Sequence, residues 1–300
     1  MFTSENGRAI LFMMLAMAGF IVNDSFVKLV SERLPLGEIM FVRGVMALVL
    51  VLGLGVFNGE VRRFHLLMNR LVGQRVFAEV TATVLYLTAL FNMEIANATA
   101  ILQALPLLVT AGAAVFLGAP VGWRRWTAVA VGFCGVLLIV RPGMEGFNAW
   151  ALMALAGVLF MALRDLTTNV LPKNVPTLGV TFATLVGVTV TGLALSLGEV
   201  WTMPSLLDLS FLAAAACFIL IGFVCIINAM RIGDISLVAP FRYSIIVWAI
   251  IIGYFVWGDI PDLPTLAGIA IVVATGLYSL MRERKRLAEA GPAATADLPG

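Results

Sequence analysis

Residues 24–35 read DSFVKLVSERLP and residues 165–176 read DLTTNVLPKNVP; each runs from an aspartate to a proline eleven positions later, at an offset of 141. Further along each copy, Met93-Glu94-Ile95-Ala96-Asn97 is matched by Met230-Arg231-Ile232-Gly233-Asp234 at an offset of 137, and Gly135 and Gly276 return to 141. A unit of roughly 140 residues is therefore written twice, with a small deletion in the second copy. In an apolar chain such a duplication points to a pore or carrier whose site lies between two related halves.

The chain is apolar enough for that reading. Of its 300 residues 61% are hydrophobic and 12% charged, with a mean hydropathy of +1.04. A soluble domain carries about twice that share of charge, so the expected solvent is a lipid bilayer. The net charge of +2 gives no reason to expect nucleic acid. Cys134, Cys217 and Cys225 lie in apolar runs without disulfide or metal spacing. The lone histidine, His65, falls in a polar loop. The first apolar run has no basic region before it and is read as a retained span.

Stretches able to cross ~30 Å of hydrocarbon fall near 8–30, 36–57, 75–95, 97–118, 124–141, 148–170, 177–198, 208–229, 234–257 and 263–281. Alternate loops on one side hold thirteen of the basic residues, from Arg8 to Arg286. The other side holds Lys28, Arg33 and Arg141, together with Glu199, Asp208, Asp259 and Asp262. That bias puts both termini in the cytoplasm. Five spans per copy is an odd number, so the second copy enters the membrane from the opposite face. The expected fold is an all-α integral membrane protein, ten transmembrane helices forming two inverted five-helix repeats around a central cavity. Residues 1–146 make the first repeat and 147–282 the second; 283–300 are expected to form a disordered cytoplasmic tail, basic and then Ala/Pro-rich.

Span four places Thr99, Gln103, Pro106 and Thr110 at i, i+4, i+7 and i+11, on one helix face. Span nine answers at the repeat offset with Ser236, Pro240, Tyr243 and Val247. Pro106 and Pro240 each remove an amide donor and free a carbonyl, which membrane protein tolerates where it borders water or substrate. The plain alternative is a packed kink; the correspondence between halves favours a lining role. Tyr86, Phe160, Phe223 and Tyr243 add aromatic surface at similar depth, suited to a small amphipathic metabolite rather than a bare ion. Charges within hydrocarbon cost about 2.5–3.5 kcal/mol on insertion scales, so Asp24, Arg43, Arg164, Asp165 and Arg242 each need a reason. Two readings stand open for them and for the amide Asn23: gating or substrate charge, or static neutralising pairs with Lys28 reaching outward. Arg43 is expected to pair with Asp24 or Glu38, and Arg164 and Arg242 to lie near Asp165. Gly132, Gly135, Gly268 and Gly276 read as close-packing positions.

The run Ala98-Thr99-Ala100-Ile101-Leu102-Gln103-Ala104-Leu105-Pro106-Leu107, then Phe116-Leu117-Gly118, then Gly132 through Gly143, resembles the closing segment of an EamA repeat. Asn23 through Lys28 and Phe41-Val42-Arg43-Gly44 are similar to the family as well. EamA proteins belong to the drug/metabolite transporter superfamily; length and layout are similar to its YddG-type amino-acid exporters. The resemblance implies ten spans in two inverted repeats and a cavity built from spans one, three, four, six, eight and nine. One departure stands out: many members read Leu-Gly-Glu after span four, where this chain has Leu117-Gly118-Ala119, while the second half keeps an acid in Trp257-Gly258-Asp259.

The chain lacks the phosphate-binding P-loop, the H-E-x-x-H zinc motif and the potassium-channel filter. No compact nucleophile–base set is visible, so an enzyme is not expected, and neither is a cofactor or metal. The expected function is a secondary transporter in a bacterial-type inner membrane, exporting small organic metabolites, amino acids foremost, by alternating access. Its partners are then a small-molecule substrate and the lipid bilayer, with the oligomeric state open. Uptake of a nucleoside-like or riboflavin-like compound shares this architecture, and a non-transporting sensor is the alternative from another class.

Overall fold

The computed structural model describes residues 4–57, 67–118, 122–140, 148–172, 175, 177–232 and 238–290. Every regular element among them is helical: α1 (Ser4–Val30), α2 (Leu36–Phe57), α3 (Arg70–Phe91), α4 (Ile95–Leu102), α5 (Leu105–Phe116), α6 (Trp123–Val140), α7 (Ala149–Asn169), α8 (Thr177–Ser196), α9 (Leu206–Ile232), a 3₁₀ segment (Ala239–Tyr243), α10 (Ser244–Trp257) and α11 (Leu263–Ala290). Six candidate spans among the described residues are long and apolar enough to cross a membrane, and three shorter apolar helices lie within α9, the 3₁₀–α10 stretch and α11. The 22-residue α3 is not among them, and it carries Arg70, Arg75 and Glu79. Arg75, expected at a loop boundary, is thus inside a helix. α11 is helical to Ala290, where the tail was expected to begin at 283. Arg284, Lys285, Arg286, Leu287 and Ala288 are all strong helix formers.

The first proline-marked span is broken rather than kinked. α4 stops at Leu102, Gln103 and Ala104 make a turn, and α5 restarts with Pro106 in its first turn. Proline costs least there, because the first amides of a helix have no intrahelical acceptor. In the second half Pro240 opens the 3₁₀ segment, after which α10 begins at Ser244. Both spans end alike: Gly118 (φ 65°) follows α5 and Gly258 (φ 74°) caps α10. Only glycine takes a left-handed φ without steric cost, so the repeated glycine is a helix stop in each half.

The helices pair across the halves. α1 packs along α9, and α3 along α7; α2 packs on α8, and α6 on α11. Under the sequence repeat α1 corresponds to α7 and α3 to α9, so exchanging the halves turns the first pair into the second. The α2–α8 and α6–α11 pairs map onto themselves. One core, from Ala9 and Met13 through Leu90 and Ile101 to Leu212 and Ala249, joins both halves.

Small residues make the self-mapped contacts possible. A Cβ on Gly192 would stand 2.6 Å from the Phe41 amide nitrogen, and one on Gly37 2.5 Å from that of Ser196. At the other pair a Cβ on Gly268 would meet the Gly135 carbonyl oxygen at 2.7 Å, and one on Gly132 would meet Leu107 and Thr275. Gly132, Gly135 and Gly268 therefore pack within the chain, while Gly276 faces the Tyr243 hydroxyl. Substituting Gly192→Ala should lower stability by about 1–3 kcal/mol, the usual cost of overpacking. Gly53→Ala, with nothing within 4 Å of the new methyl, should leave stability unchanged or slightly raised. Chemical unfolding of the detergent-solubilised protein compares the two.

Candidate substrate site

α4, built from Ala, Ile and Thr, turns one face inward so completely that Thr99 is 0% exposed and Gln103, one turn on, 8%. Tyr86 on α3 and Tyr243 at the end of the 3₁₀ segment are equally enclosed. The Tyr86 and Thr99 hydroxyls meet no protein group other than each other, and the Tyr243 hydroxyl and Gln103 Nε2 have no hydrogen-bonding partner in the protein. Tyr86 feels the charge of Asp24 on α1 and faces Thr99. Beyond the break the expected face does not continue. Val247 is 57% exposed, because a 3₁₀ turn holds three residues rather than 3.6 and shifts the register of everything after it. The inward positions on α10 carry Ser244 and Trp248 instead, and Ser244 Oγ and Trp248 Nε1 are likewise buried and unpartnered.

The remaining polar candidates form a ladder of charge. Asn23 Nδ2 donates to Asp24 Oδ1 at 2.8 Å, and Arg43 donates to Asn23 Oδ1 at 3.3 Å rather than to Asp24 itself. Glu38 takes no part; it is fully buried and accepts from the Thr202 amide at 3.0 Å. Nearer the Arg75 end, Arg164 lies between Glu79 (2.7 Å) and Asp165 (2.8 Å). Arg75 donates to the hydroxyls of Thr168 and Thr184. α3, α7 and α8 are thereby cross-linked at one end of the molecule. Arg242 lies exposed on the 3₁₀ segment and makes no ion pair with Asp165. A shared depth in the membrane suggested that pair; Arg242 is exposed instead.

At the opposite end the halves part around a cavity of about 640 Å³. Lys28, Asn97, Trp257 and the carboxylates Glu94, Asp259 and Asp262 line it. Tyr86 sits ~7.5 Å back along α3 from Phe91 on its wall. This open space lies at the Lys28 end, beside the buried Tyr86, Thr99, Gln103 and Tyr243 rather than around them. Lys28 does not reach outward. It is 9% exposed, donates to the carbonyls of Leu90 (2.8 Å) and Met93, and lies 5.5 Å from the centre of the Trp257 ring. Carbonyls at the end of α3 and in the turn after it attract the cation, as helix C-termini do.

Phe160 meets Phe77 edge-on at 6.3 Å, and Phe77 is 62% exposed, so Phe160 stands at the margin; Gly157 is the α7 residue beneath Tyr86. Pro106 is half-buried, and its carbonyl accepts from Thr110 at 2.8 Å. Phe223 lies on α9 and Pro240 on the 3₁₀ segment; Ser236 lies outside the described residues. Glu79, Arg75, Ser244 and Trp248 were missed. Only Glu79 carried a signal, being an acid one helical turn after Arg75 in a stretch expected to cross lipid.

The sequence model of the EamA-like transporter family matches residues 7–141 and again residues 148–281. The chain belongs to the EamA-like transporter family. Among its relatives are an S-adenosylmethionine uptake transporter of Rickettsia conorii, 24% identical over 91% of this chain and 92% of that protein, and the pseudopaline exporter CntI of Pseudomonas aeruginosa, 25% identical over 92% and 96%. A riboflavin transporter of Vibrio cholerae is 28% identical over 71% of this chain and 72% of its own length. A crystal structure of a protein 15% identical in sequence shares the fold, with a TM-score of 0.61 over 92% of this chain and 97% of that one. Uptake and export are both represented among these EamA-like relatives.

Two outcomes test the geometry of this EamA-like site. Glu79→Gln and Arg164→Gln should each cost about 1–3 kcal/mol, the range for losing a charged hydrogen bond, and the double variant should cost less than their sum. A double-mutant cycle in detergent measures the coupling. At the other end, burial, with Asp259 and Asp262 adding to it, pushes the Glu94 carboxyl up from 4.5. An acid raised in the folded state binds more protons than the unfolded chain does. Stability should therefore rise as pH falls through the raised value toward 4.5, and Glu94→Gln should remove that increment from the pH profile of Tm.

Proposed function

We propose that the protein is a secondary carrier of small organic metabolites, amino acids foremost, exporting them across a bacterial inner membrane by alternating access. The two halves, 1–146 and 147–282, are then inverted repeats with both termini in the cytoplasm, and the substrate site lies between them. The observation that carries this reading is the set of enclosed polar groups at the end of α4, on the 3₁₀ segment and on α10 that no protein atom answers. In hydrocarbon such groups cost free energy unless a ligand or water meets them. The exchange of the α1–α9 and α3–α7 pairs under the repeat supports a rocking of one half against the other. The cavity at the Lys28 end then corresponds to access from outside, and the Glu79–Arg164–Asp165 cluster to closure toward the cytoplasm.

Uptake of a larger metabolite is the second reading, favoured by the S-adenosylmethionine and riboflavin transporters among the relatives. Proteoliposomes loaded with a radiolabelled mixture of L-amino acids decide between the two. Protein-dependent loss of label, reduced about tenfold by Tyr86→Ala or Gln103→Ala, the loss expected when a hydrogen-bonding site goes unpaired, supports the first. Flux of S-adenosylmethionine or riboflavin with none of any amino acid overturns the substrate and the direction but keeps the carrier.

A further inference from the structure

A smaller opening lies on the outside of the bundle, away from the cavity at the Lys28 end. It is a groove of about 260 Å³ between α5 and α6. Ala104, Leu107 and Val136 form its floor and are buried; Trp126, Ala130 and Phe133 form its rim and are exposed. Every lining side chain is hydrocarbon apart from the Trp126 indole N–H. Along α6 the groove runs from Trp126 to Val136, ~15 Å at 1.5 Å per residue. Spread over that length, its volume is far too slender for a helix ~10 Å across. In a membrane-spanning bundle such a surface meets acyl chains, and hydrocarbon alone gives no hydrophobic reason to prefer one lipid there. Selection has to come from the mouth of the groove.

That mouth is basic. Trp123 and Trp126, 71% and 42% exposed, mark the depth of an interfacial aromatic belt, and Arg124 and Arg125 lie between them. α11 runs antiparallel along α6, with Gly132 against Thr275 and Gly268 against Ile139. The same register carries the end of α11 at Arg282, followed in sequence by Glu283, Arg284, Lys285 and Arg286, to the first turn of α6. Between Glu94 and Glu145 the chain has no acidic residue to offset these cations. A second copy of this chain fits the face poorly, because a two-fold partner would bring its own arginines to the same depth.

We propose that the α5–α6 groove is a binding site for an anionic phospholipid. One acyl chain lies against Leu107, Ala130 and Phe133 with its tip at Ala104, and the phosphate headgroup is held at Arg124, with Arg282 beyond it. Basic pockets between transmembrane helices take anionic headgroups in this way. Ala104 belongs to the turn where α4 stops, so the bound chain buttresses the break in that span. The site is separate from the space between the halves and does not depend on which solute the protein carries.

The test reconstitutes the full chain into phosphatidylcholine vesicles holding a rising fraction of phosphatidylglycerol brominated along its acyl chains, and reads tryptophan fluorescence. Brominated phosphatidylcholine is the control lipid, and the share due to Trp126 is the difference from Trp126→Phe. Trp126 should be quenched at about a tenfold lower fraction of the anionic lipid than of the neutral one, the scale set by basic residues near a charged surface. Raising the salt from ~0.1 M to ~1 M should shrink that preference. Arg124→Gln should cut it about fivefold, and adding Arg282→Gln should bring the two lipids level. Ala130→Phe, which fills the groove at an exposed position, should raise several-fold the fraction of anionic lipid needed. Equal quenching by the two lipids in the wild type overturns the proposal. So does a preference untouched by Arg124→Gln with Arg282→Gln, or by Ala130→Phe. Protection of Trp126 from both lipids, with a dimer seen by native mass spectrometry, overturns it too and assigns the groove to a second copy.

Discussion

Every polar group at mid-depth in this molecule has to be answered from inside it, because hydrocarbon answers nothing. That constraint orders the rest. It explains why Arg164 is held between two carboxylates and why Thr88, Thr110, Thr167 and Thr189 return their hydroxyls to carbonyls four residues back. It also explains why prolines occupy first turns, where no amide is missed. Against that background the unanswered groups of Gln103, Tyr243, Ser244 and Trp248, with Asn97 Oδ1 and Glu38 Oε1 beyond them, are exceptional. They are where the protein departs from its own rule, and a departure of this kind marks function more often than defect.

Much of the architecture was legible because lipid simplifies the reading. Hydropathy and the spacing of Asp24, Pro35, Asp165 and Pro176 give most of the apolar helices and the duplication, and the glycines of spans five and ten give a packing seam. The candidate site was legible only as far as the helix period held. Thr99 and Gln103 are on the inward face as the 3.6 period requires. At the second proline the period is interrupted by the 3₁₀ turn, so Val247 was projected onto a face that the chain does not keep. Trp248 was hidden for the same reason: its orientation depends on a 3₁₀ turn that proline permits but does not dictate. Lys28 shows a different limit. Sequence records a lysine near the end of a span, whereas its inward course follows from carbonyls on α3 that are remote along the chain.

The two ends of the bundle are chemically unlike, although they derive from one repeated unit. At the Arg75 end, opposite charges interlock and close the halves together. At the Lys28 end, Glu94, Asp259 and Asp262 crowd a single ammonium, and the halves stand apart. Glu94 and Arg231 occupy matching places in the repeat, so a change of sign at one position has helped make the ends differ. The duplication supplies the scaffold, and divergence within it supplies the polarity.

The grip of Lys28 has a mechanical corollary. One ammonium serves the last carbonyls of α3 and the turn leading into α4 while resting on an indole of α10. Pulling any of these apart would strand a desolvated cation. The rim of the cavity is therefore riveted at that point, and its three walls must swing as one body or not at all.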